Sequence, residues 1–131
     1  MVYKNNFENP RDVLKAQLID RLGKVYLSMK SSNIVIWGTG AYGKWLLSFL
    51  TLLGINKKVC CFCDSFHDDS NLDYIENIPV FSPSKSASLF HSATFIIASD
   101  YYEEILNSIS KSPYSDIDTF VLDHDNKMLE K

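Results

Sequence analysis

The segment Gly38-Thr39-Gly40-Ala41-Tyr42-Gly43 has the residue types and spacing best suited to a chemical task in this 131-residue chain. It lies between an apolar run at 33–37 and a run with helical periodicity. In that setting Gly38 permits a tight turn, and Gly40 lets the backbone approach a diphosphate with no Cβ in the way. Gly43 lets helix and strand pack closely. The N–H groups of Thr39, Ala41 and Tyr42 and of the glycines, gathered at a helix start, suit an anion. Asp64 follows about 20 residues later, at the end of a second apolar run, where a carboxylate can accept hydrogen bonds from ribose hydroxyls. The plainer alternative is that the glycines serve only the tight turn and that Asp64 only caps its loop.

Other reactive residues are less well placed. Cys61-x-Cys63 with His67 nearby superficially suggests a metal site, but strand alternation puts Cys60 opposite Cys61 and Cys63, and no further ligands complete a tetrahedral set. The cysteines read as small buried hydrophobes, and no metal is expected. Ser99-Asp100 ends a strand without a nucleophile elbow around it, so Ser99 reads as a ligand contact or a helix cap. Tyr101, Tyr102, Glu103 and Glu104 open a helix, where acids suit the dipole and structural roles are favoured. His91 and His124 stand apart from any partner.

These residues need a sheet and helices to position them. Asn9-Pro10 with Asp12 starts a helix over 10–30, whose apolar positions Leu14, Leu18, Leu22, Val25 and Met29 share one face. The run at 33–37 is a buried strand, and the glycine turn leads into a helix ended by Gly54. That helix carries two apolar stripes. Leu46, Leu47, Leu50 and Leu53 cover the sheet, while Tyr42, Trp45, Phe49 and Leu52 need the N-terminal helix or a second subunit. Strand 59–63 follows, then a polar surface loop over 65–77 and a short edge strand at 78–81, limited by Pro79. A brief helix from 83, a strand at 93–98, a helix over 101–110 and a strand at 117–122 complete the pattern.

The β-α-β-β-α-β-α-β rhythm predicts an α/β sandwich of three layers. Its mainly parallel five-stranded sheet has order 3-2-1-4-5, with the N-terminal helix as an addition. One domain over 1–131 is expected, with its nucleotide-binding core at about 33–123. A hydrophobic share of 46% is enough to fill a core, and a net charge of −3 without basic clusters argues against nucleic acid as a partner. The polar first ten residues do not look like a signal peptide. The most apolar stretch, 45–55, is too short for a membrane span. Three crowded cysteines suit a reducing cytoplasm.

The segments Val35 to Gly43, Phe62 to Ser65, Asn77 to Val80 and Ile96 to Tyr102 resemble those of a known group. They are similar to the Rossmann-like nucleotide-sugar- and NAD-binding domains of bacterial surface-polysaccharide enzymes, found in sugar acyltransferases and with nucleotide-sugar dehydratases and epimerases. The resemblance covers about 33–110. It implies that Gly38 to Gly43 and Asp64 contact NAD or a nucleotide-sugar, with Ser99 near the phosphates. The family often has glycine where this chain has Asn77. A Tyr-x-x-x-Lys pair after the turn is missing, since Tyr26 and Lys30 precede it. The resemblance therefore implies a cytoplasmic binding domain of surface-glycan metabolism without its own complete catalytic apparatus, either working with a separate catalytic protein or standing as a remnant that binds without turnover. A homodimer through the second stripe is a further expectation. Three alternatives stay open: a small NAD-dependent oxidoreductase or epimerase component, a look-alike that takes S-adenosylmethionine or CoA, and a protein-interaction module with an empty turn.

Overall fold

A computed structural model describes residues 33–122 and the backbone of 128–130. The helix expected over 10–30, with Tyr26 and Lys30, lies outside these residues, as does His124. The chain opens with β1 (Ile34–Trp37), and α1 (Ala41–Leu52) follows the glycine turn. A single 3-10 turn leads to β2 (Val59–Cys63), which is followed by β3 (Tyr74–Ile75) and β4 (Ile78–Phe81). The remaining elements are α2 (Pro83–Leu89), β5 (Thr94–Ala98), α3 (Tyr102–Ser110), β6 (Asp118–Leu122) and β7 (Met128–Glu130).

The result is an α/β arrangement with a mixed, mostly parallel sheet. β4, β2, β1, β5 and β6 run parallel in that spatial order. The expectation of five strands in order 3-2-1-4-5 needs correction at both edges. β3 pairs antiparallel with β4, β7 pairs antiparallel with β6, and the order becomes β3-β4-β2-β1-β5-β6-β7. The polar loop expected over 65–77 accordingly contains a strand. Glu76 and Asn77 close its hairpin with φ of 50° and 67°, the left-handed conformation that a two-residue turn between twisted strands demands. β4 is thus covered by β3, and Val80 N–H is satisfied by Asp73 O at 2.9 Å beside the non-donating Pro79.

Strand alternation splits the core in two. Ile34, Ile36, Phe62, Ile96 and Leu122 meet Leu46, Leu47 and Leu50 of α1 on one face of the sheet. Val35, Trp37, Phe95, Ile97 and Val121 meet Ala87 of α2 and Ile105 and Ile109 of α3 on the other. The second stripe of α1 is graded: Phe49 is buried, Tyr42 and Trp45 pack partly against the first core cluster, and Leu52 is 74% exposed. Gly54, at φ +75°, ends α1. Its N–H donates to Thr51 O and Ile55 N–H to Leu50 O, the paired bonds by which a glycine closes a helix.

The 65–77 segment is tied to the start of α2. Ser82 caps that helix by accepting from Lys85 N–H, while its own N–H and hydroxyl donate to the Asp69 carboxylate. The Ser82 hydroxyl, with smaller help from its N–H, holds the Asp69 carboxyl below its ordinary range. A depressed folded-state pKa stabilises above the unfolded value and is lost as pH falls through the folded one. The stability gap between the parent and Asp69→Asn should therefore be full at neutral pH and close below about pH 4. Urea denaturation along a pH series measures it, and a gap that does not change with pH would refute this role.

Candidate functional site

Three strand ends meet at one crevice. β1 delivers Trp37 and Gly38, β2 delivers Cys63 and Asp64, and β5 delivers Ala98 and Ser99, all at the carboxyl edge of the parallel sheet. At β1 the crossovers part: α1 lies on one face of the sheet, and α2 and α3 lie on the other. This is the kind of switch point at which open α/β sheets leave a cleft. The cleft here has a volume of about 920 Å³.

The glycines of the turn are not equivalent. Gly38 has φ +143°, and a Cβ there would sit 2.2 Å from the carbonyl oxygen of Ala98. A Cβ on Gly43 would sit 1.8 Å from the carbonyl oxygen of Gly38. Both glycines are thus required by the contact of α1 with β1 and of β1 with β5. Gly40 differs on both counts. Its φ of −84° and ψ of −159° suit any residue, and a Cβ there would meet nothing within 4 Å. It is exposed, lines the crevice and occupies the N-cap of α1, where it offers no side chain to the first-turn N–H groups. The first turn of α1 also lacks an acid, so its positive end is left without a neutralising carboxylate of its own.

Asp64 stands across the turn. Its Oδ1 accepts from Phe66 N–H at 3.1 Å, and its Oδ2 lies 3.5 Å from the Thr39 hydroxyl, a long contact that still links β2 to the glycine turn. The same edge is braced by Gly38 N–H to Cys63 O at 3.0 Å and by the indole N–H of Trp37 to the Ser65 hydroxyl at 3.0 Å. The Asp64 carboxylate is half-buried and faces the crevice with acceptor capacity to spare. The Ser99 hydroxyl accepts from Tyr101 N–H at 3.1 Å, so it shapes the turn into α3 while lining the cleft.

The structure therefore brings together Gly38, Thr39, Gly40, Ala41, Tyr42, Asp64 and Ser99, with Gly43 behind them as the seat of α1. Three further cleft residues, Ser65, Phe66 and Glu104, carry no such role in the sequence. Ser65 and Phe66 follow Asp64, and Phe66 stands 95% exposed at the rim. Glu104, read as structural, lines the opposite wall with Asp100 and Tyr101, which follow Ser99 at the end of β5 as the sequence placed them, whereas Tyr102 turns into the second core cluster. The available signal for Glu104 was its place in the first turn of α3, directly after the residues that end β5.

The cysteines lie beneath this surface. Burial pushes the Cys61 thiol up to about 12 and raises Cys63 as well, so neither supplies a thiolate at neutral pH. Among the described residues no three His, Cys, Asp or Glu side chains are grouped to hold a metal ion. No helix among them is long and apolar enough to cross a membrane.

No protein-family model, curated protein or solved structure matches this chain.

Proposed function

We propose that the chain is a Rossmann-like domain that binds a nucleotide, NAD or a nucleotide-sugar, in the crevice between β1, β2 and β5. The observation that carries the reading is Gly40. The fold accounts for Gly38 and Gly43 without any ligand, but neither sterics nor backbone conformation accounts for a glycine at position 40. A bare backbone at a helix N-terminus is what a diphosphate requires, since the N–H groups must come within hydrogen-bond distance of its oxygens. Asp64, steadied by Phe66 N–H, then takes the ribose hydroxyls. The sequence resemblance to nucleotide-binding domains of surface-polysaccharide enzymes supports the same ligand class and suggests a separate catalytic partner. The task is then recognition and presentation of a nucleotide.

Thermal unfolding of the purified chain with NAD, UDP-glucose and other nucleotide-sugars tests this. A ligand present at about 100 times its Kd stabilises the folded state by about 2.7 kcal/mol, a shift of several degrees for a chain of this size. An unchanged midpoint with every compound would overturn the proposal in favour of an interaction module.

A further inference from the structure

Two helices open onto the crevice, and their N-termini differ. α1 begins with Gly40 and no acid in its first turn, while α3 carries Glu103 and Glu104 in its first turn, just after Asp100. Of these acids, Asp100 and Glu104 line the cleft and Glu103 does not. With Asp64 they give the cleft three carboxylates, and none of its described lining residues is Lys, Arg or His. A phosphate in this crevice must therefore be met by backbone N–H groups and hydroxyls, and of the two helix ends only that of α1 has no acid in its own first turn.

On the reading proposed above, we infer that the ligand is a nucleoside diphosphate conjugate whose group beyond the diphosphate carries no negative charge. The diphosphate is held at α1, and the crevice continues past Ser99 to the wall formed by Asp100 and Glu104. An uncharged or cationic group is compatible with that wall. A second anion there faces two carboxylates with no cation to compensate. At separations of about 6 Å, two such repulsions weaken binding about tenfold even at the dielectric constant of water. Asp100 and Glu104 are thus specificity-determining residues that act by exclusion.

The test uses two ligand pairs that differ only in the charge of the distal group. UDP-glucose is compared with UDP-glucuronate, and NAD with nicotinic acid adenine dinucleotide, by calorimetric titration of the full chain. The member of whichever pair binds that lacks the distal carboxylate should bind about tenfold tighter. The gap should shrink near 1 M salt, where the screening length is about 3 Å. It should also close in the double variant Asp100→Asn, Glu104→Gln. Glu103→Gln, which makes the same change to the α3 dipole outside the cleft, should leave the gap intact. Equal affinities within a pair, with binding lost in Gly40→Asp, would overturn the charge filter and leave the nucleotide site standing. Absence of binding by all four compounds would overturn both.

Discussion

Gly40→Asp is expected to abolish nucleotide binding while leaving the protein as stable as the parent or up to about 1 kcal/mol more so. The two effects have separate origins. Position 40 is the N-cap of α1 and has extended dihedral angles that aspartate adopts readily. A carboxylate there can accept from the first-turn N–H groups and oppose the helix dipole, neither of which any residue now does. Restricting the unfolded chain adds to the gain, and the open space around position 40 means that nothing has to move. The same carboxylate sits where the diphosphate must lie and repels it, so affinity should fall by about 100-fold or more. Gly40→Ser separates charge from bulk: it caps the helix without a charge and should cost less affinity. Calorimetric titration and thermal unfolding of the same preparations measure both axes. Retained binding in the aspartate variant would show that no anion approaches this turn. A marked loss of stability would show that Gly40 serves the fold after all.

The parts of this molecule that were legible in the sequence are those set by local chemistry. The apolar β-branched run ending at Trp37 can only be a buried strand. Gly54 stops α1, and the Ser82-Pro83 pair starts α2, because caps and turn residues act within a few positions of themselves. What was missed depends on neighbours far away in the chain. β3 is two residues long and is closed by a turn whose first left-handed position is Glu76, a residue that gives no turn signal. β7 is a short segment that pairs with β6 through its backbone. The crevice divides in the same way. Its glycine-turn side is one contiguous motif and was readable, whereas Glu104 joins the crevice only because β5, with α3 after it, lies beside β1. The separate roles that the motif assigns to the three glycines were readable, but not the contacts that enforce them. The positions of the Ala98 and Gly38 carbonyls show that packing requires Gly38 and Gly43 and leaves Gly40 free.

Gly43→Ala should destabilise the protein by about 3–5 kcal/mol, against the direction that helix propensity alone would give. Alanine is favoured over glycine within a helix by about 1 kcal/mol, so on local grounds the variant would be an improvement. The added methyl, however, would lie 1.8 Å from the Gly38 carbonyl oxygen, which is backbone and cannot swing away. Gly38 cannot retreat either. A Cβ-sized displacement on its far side meets the Ala98 carbonyl, and its φ of +143° already depends on being glycine. Relief therefore requires α1 to lift from the sheet, which loosens Leu46, Leu47 and Leu50 from their contacts with the inner strands. Gly38→Ala should be comparably severe, because it combines left-handed backbone strain with overpacking against β5. Either variant should lower the thermal midpoint by about 10 °C or more, as measured without any ligand. A neutral or stabilising Gly43→Ala would mean that α1 is not seated on β1 as described. The argument for Gly40 depends on this result, because its claim to serve a ligand rests on the other two glycines being explained by the fold.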